Sequence, residues 1–184
     1  MSTTITTAKI KNRMFLAYGY TEREGDTENK ITTSSDAPIH PDLKDAFLKL
    51  TPHFAFICEE ITEDVARIAI TTGFIKDPEQ EHPLNRFDVG GFTIGGLGDS
   101  EGVTISGSKW LKSGKSVNFN TPFVKWGDDY AFSDELILAV DLLKSEVYEY
   151  LGGKQAEKLQ TVMTFLSEDD QDGQNQKHFA DAEM

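Results

Sequence analysis

The chain has 184 residues, with 31 Asp and Glu against 18 Lys and Arg, for a formal net charge of −13. That length fits one domain. A hydrophobic share of 38% with 12 Phe is enough for a core, and the single cysteine, Cys58, excludes an internal disulfide framework and any multi-cysteine zinc site. No run approaches the ~18 apolar residues of a membrane-spanning helix. The opening MSTTITTAKIKNR lacks the apolar stretch of a secretory leader. The expectation is a cytoplasmic protein with no membrane partner.

Residues 8–20 (AKIKNRMFLAYGY) are apolar and aromatic with partial alternation, which predicts a strand. A polar turn around Gly25 follows, then a short strand from Lys30 to Ser34. Pro41 suits a first helical position and Asp42 the positive end of the helix dipole. Leu43, Phe47, Leu50, Phe54 and Ile57 step by four, three, four and three, so one helical face runs over 41–58. Pro52 lies inside it and should kink or divide the helix. The β-branched run Val65 to Ile75 reads as a strand, 76–85 as a loop, and Arg86 to Ile94 as another strand. Val103 to Leu111 and Lys115 to Val124 form a hairpin joined through Lys112-Ser113-Gly114. Ser133 reads as an N-cap, with Leu136, Val140, Leu143, Val147 and Leu151 at helical spacing and Gly152-Gly153 as the stop. Lys154 to Leu166 fits helix and strand equally.

These elements define an α+β domain over 1–166. A curved antiparallel sheet, with an OB-like barrel as its best expected form, packs against helices near 41–58 and 133–151. Residues 167–184 hold six acids against Lys177 and only Phe179 as a large apolar group. Such a segment cannot bury enough surface to offset its ordering entropy, so it reads as a disordered acidic tail.

No constellation points to catalysis, so the expectation is a non-enzyme without cofactor or metal. His40, His53, His82 and His178 have no metal-ligand spacing. Cys58 reads as a small buried apolar group. GGFTIGGLG (90–98) lacks the Gly-Lys-Ser/Thr ending of a phosphate loop and reads as turns. The carboxylate pairs Glu59-Glu60 and Glu63-Asp64 read as solvated helix ends.

The charge is unevenly spread. The tail carries −5, while 102–127 contains no acid and carries Lys109, Lys112, Lys115 and Lys125, which leaves −12 on the remainder. The same stretch holds both tryptophans, Trp110 and Trp126, with Phe119 and Phe123. Lysines for phosphates and aromatics for base stacking are what single-stranded nucleic acid requires. Alternation places Lys115, Val117 and Phe119 on one strand face, and points Lys109 and Leu111 away from Trp110 and Lys112. The hairpin therefore buries some of its aromatics; the plain alternative is a hairpin with core aromatics and solvated lysines.

The Lys109–Trp126 segment and the Ser167–Met184 tail resemble those of phage and bacterial single-stranded DNA-binding proteins, and the chain also resembles small proteins of phage and prophage genomes. The tail departs from that family in ending Asp181-Ala182-Glu183-Met184, with Phe179 set back. The resemblance implies an OB-fold and a DNA-metabolism accessory role. Lys109, Lys112, Lys115 and Lys125 would contact phosphates, and Trp110, Phe119 and Trp126 would offer stacking surface. The acidic tail or surface would meet basic replication or recombination proteins, and self-association is compatible with this role. The alternative is a DNA-mimic inhibitor whose acidic surface occupies a host protein's basic groove.

Overall fold

The computed structural model describes residues 2–25 and 27–156. The strand expected over 8–20 is two strands, β1 (Ser2–Lys11) and β2 (Phe15–Glu24). Between them Asn12 and Arg13 take φ of 51° and 59°, and the Met14 N–H donates to the Lys11 carbonyl at 3.1 Å. Lys11 pairs with Phe15, so the loop has three residues, and its first two have the positive φ of a type I′ turn, in which glycine normally takes the second place. Arginine there conceals the turn from the sequence. The short strand expected at 30–34 extends over Thr27–Pro38 as β3.

β4 (Phe87–Gly95) and β5 (Gly102–Trp110) fall where expected. The run 115–124 splits into β6 (Ser116–Asn120) and a two-residue β7 (Val124–Lys125). Gly114 supplies the positive φ (76°) of the β5–β6 turn. The antiparallel sheet has the order β3-β2-β1-β4-β5-β6, with β7 beside β5. The fold is α+β, but the expected barrel does not form. The end strands β3 and β6 do not pair, because helices cover one sheet face and bury what a barrel would bury by curling.

Pro52 divides the first helical run into α1 (Pro41–Leu48) and α2 (Thr51–Ile57). It sits in the first turn of α2, where its missing N–H has no intrahelical partner to lose. The expected strand at 65–75 is instead helix α3 (Glu63–Thr72). Ala66 and Ala69, three apart, are its buried positions, Glu63 pairs with Arg67 one turn on, and Gly73 at φ 81° ends it. These helical spacings outweigh the β-branched composition. Helix α4 (Ser133–Leu151) buries Leu136, Val140, Leu143 and Val147 as expected. Ser133 is its first residue, however, and Phe132 holds the cap position without a side-chain bond.

The core lies between sheet and helices, centred on Leu16, Phe47, Phe54, Phe87, Phe92 and Ile105. Each such side chain, fully buried, stabilises by ~1.5–3 kcal/mol. Past α4, the Lys154 ammonium meets Asp42 at 2.8 Å, Glu149 at 2.7 Å and Glu146 at 3.0 Å, tying the end of α4 to the start of α1. Hydrogen bonds to Asp42, Glu149 and Glu146 raise the Lys154 pKa, and the bond from Lys154 lowers that of Asp42. Gln155 bridges Ile39, and the Ala156 N–H reaches the Pro38 carbonyl. Residues 157–166 and the acidic segment 167–184 lie outside the described residues. Among those described, no helix is long and apolar enough to cross a membrane.

Candidate nucleic-acid interface

Register assigns every strand residue to one sheet face, because directly paired residues point the same way. One row runs Thr32–Gly19–Thr7–Thr93–Thr104 across β3, β2, β1, β4 and β5. The next runs Ser34–Ala17–Lys9–Gly91–Ser106–Asn120 across six strands. Asp88, Ser108 and Asn118 form a third short row, and Trp110 pairs with Ser116. The other face carries Tyr18–Ala8–Phe92–Ile105 beneath the helices. The uncovered face thus consists mainly of Thr, Ser, Asn, Gly and Lys, with Asp88 and Trp110 at one end.

Small groups pack closely on this face. The Thr7 hydroxyl lies 3.2 Å from that of Thr93, and a Cβ on Gly19 would stand 2.7 Å from the Thr7 methyl carbon. The Lys11 ammonium reaches across β2 to Ser34 at 2.9 Å. A depression of about 340 Å³ is lined by Lys9, Asp88, Ser106, Ser108, Asn118 and Asn120, among others.

The seven residues expected to bind are not brought together. Trp110 is on the uncovered face and 36% exposed, with the Arg13 guanidinium 5.9 Å from its ring centroid. Its indole N–H donates to Asp88 at 2.6 Å. Lys109, one residue back, turns to the helix side, pairs with Glu60 and lies 5.8 Å from the centre of the Phe87 ring. Phe119 stacks on Phe54 at 4.7 Å and is half-buried. Trp126 is half-buried, its indole donating to Glu101 at 3.1 Å. Lys125 is half-buried opposite Gly102, at the far end of β5 from Trp110. Lys112 and Lys115 are exposed at the β5–β6 turn. Trp110, Lys112 and Lys115 thus share one end of the sheet, while Phe119 and Lys109 are committed to the helix side.

Lys9, Lys11 and Arg13 join them. All three are exposed, and their i, i+2 spacing over residues 9–13 is the signal in the sequence. Residues 2–21 contain no acid, like 102–127, and β4, which lies between them in the sheet, contributes only Asp88. Asp88 is locally neutralised by its ion pair with Lys76. Burial acts to raise its pKa, but the hydrogen bonds from Lys76 and Trp110 and the charges of Lys76 and Arg13 outweigh this and hold it below the usual value.

No protein-family model, curated protein or solved structure matches the chain.

His53 and Cys58, in α2 and at its end, lie away from this face. Burial lowers the His53 pKa to about 4, leaving the ring neutral beside the Tyr130 hydroxyl at 2.8 Å. Burial, then the charge of Glu60, pushes the Cys58 thiol up to about 11, far from a reactive thiolate. Among the described residues, no group of three His, Cys, Asp or Glu is placed to hold a metal ion.

Proposed function

We propose that the chain binds single-stranded nucleic acid on the uncovered sheet face, at the end carrying Arg13 and Trp110. The observation that supports this is the meeting of two acid-free segments, 2–21 and 102–127, across β4 in a chain of net charge −13. Lys9, Lys11, Arg13, Lys112 and Lys115 then serve as phosphate contacts. Trp110 is the stacking platform, and Ser106, Asn118 and Asn120 supply polar contacts. Base stacking on an aromatic contributes ~1–3 kcal/mol and tolerates any sequence.

Fluorescence anisotropy with labelled oligo-dT tests this. Full-length chain should bind at low salt and release as salt rises. Lys9→Glu combined with Lys11→Glu should weaken binding and flatten the log–log salt slope by ~1.4, the value for two lost single-strand phosphate contacts. Trp110→Ala should cost ~1–3 kcal/mol of affinity, while Trp126→Phe should leave it unchanged. Absence of binding at low salt, with the full chain and with one lacking 167–184, overturns the reading.

A further inference from the structure

Away from the uncovered face, a groove of about 530 Å³ lies between the end of α2 and the segment 122–130. Its walls are Phe56, Ile57, Ile61, Phe123 and Tyr130, and its rim carries Glu59, Asp128 and Asp129. Among the described residues, no Lys or Arg lines it and none of the three carboxylates makes an ion pair. Phe123 is 47% exposed although its ring rests on the β4–β5 end, where a Cβ on Gly102 would stand 2.8 Å from it. The Asp128 carboxylate accepts the Lys125 backbone N–H at 3.2 Å, which leaves its charge without a cationic partner. An aromatic held open beside such carboxylates is matched by a ligand with apolar groups flanked by positive charge.

Glu59 sharpens this. It follows the α2 cap at φ 59°, its N–H donating to the Phe56 carbonyl and that of Glu60 to the Ala55 carbonyl. These two bonds define a helix ending that normally takes glycine at this position. A glutamate there strains the backbone, and residues held in this way cluster at binding and active sites.

We infer that this groove docks a basic–apolar segment of a partner protein, Arg or Lys pairing with Glu59, Asp128 and Asp129 while an adjacent Leu or aromatic seats against Phe56 and Phe123. This site stands independently of the nucleic-acid reading.

The probe is the acetylated and amidated peptide Gly-Arg-Leu-Arg-Leu-Gly, titrated into ¹⁵N-labelled full-length chain and followed by amide chemical shifts. Saturable shifts at Ile57, Ile61, Phe123 and Tyr130 are expected. Glu59→Gln with Asp129→Asn should weaken binding about five- to ten-fold, the size of two exposed ion pairs. Glu59→Gly tests the same carboxylate without risk to folding: it should raise the melting midpoint by relieving φ 59° yet weaken the peptide. Lys9→Glu with Lys11→Glu should leave the peptide's affinity unchanged, which separates this site from the sheet face. Four results would overturn the inference: no saturable shifts in the groove, equal binding with Glu in place of Arg, equal binding with Ser in place of Leu, or argininamide alone binding as tightly as the peptide.

Discussion

On the covered side of the sheet, Ala8, Phe92 and Ile105 stand in one row and are at most 1% exposed. One residue along each strand, on the other side, stand Thr7, Thr93 and Thr104. The helices over the first row are strongly acidic: residues 41–72 and 128–151 hold thirteen acids and four bases. The strands carrying the second row are almost free of acid. The contrast shows how a net charge of −13 coexists with a neutral-to-basic surface. Acids are concentrated in solvated helix faces, loops and the outer strands β2 and β3, and the wet face of β1, β4 and β5 is left largely to Thr, Ser and Lys, which suit an extended backbone with one wet face.

The largest expected effect breaks the two faces apart by stability. Phe54 is fully buried, stacked on Phe119 and edge-on to Phe87 at 6.2 Å. Phe54→Ala removes the central contact between α2 and the sheet and should cost ~3–5 kcal/mol. Thr93→Ala, on the uncovered face, should change stability by no more than ~0.5 kcal/mol. Urea denaturation of both variants checks this. Equal losses would mean that something packs on the uncovered face.

The next effect tests the covered side by pH. His53 is 2% exposed, and burial lowers its pKa to about 4 from 6.5. Between those values the unfolded chain binds the proton and the folded chain does not, so acid favours unfolding. The stabilisation is complete above pH ~6.5 and is lost as pH falls toward 4, amounting to ~3 kcal/mol. Denaturation midpoints taken from pH 7.5 to 4.5 should fall more steeply for the native chain than for His53→Gln. Parallel profiles would show that His53 titrates as if exposed.

How much of this was legible depended on range. The face of α4 was readable because Leu136, Val140, Leu143 and Val147 repeat at helical spacing within one segment. The alternation that turns Lys109 away from Trp110 was equally local, and the register bears it out. α3 was misread because Val65, Ile68 and Ile70 favour a strand by composition; the decisive Ala66–Ala69 and Glu63–Arg67 spacings are weaker signals. The interface was half legible. The island 102–127 stands out in the sequence, but its neighbours β1 and β4 come from pairings as distant as Thr7 with Thr93. Bulges compounded the difficulty. The extra residue at Thr6 in β1 and at Gly90 in β4 shifts the alternation by one, so a strict period of two assigns half of each strand to the wrong face.

The smallest expected effect lies where the two sides meet. β4 pairs with β1 only over Thr7 to Lys9, so the start of β1 lacks a strand on that edge. Helix α4 fills the gap: the Tyr148 hydroxyl accepts the Ile5 N–H at 3.1 Å and donates to the Thr3 carbonyl at 2.8 Å. One side chain thus does what a paired residue of another strand would do, binding both a donor and an acceptor of the edge. Tyr148→Phe keeps the ring and removes only those two bonds. It should cost ~1 kcal/mol, because the Thr3 end is exposed to water, which replaces part of what is lost. Amide exchange at Ile5 should quicken while that at Ala8, held between β2 and β4, stays as it was. Loss of protection at both would show that the start of β1 and the centre of the sheet open as one unit, and that α4 secures the uncovered face as well as the core beneath it.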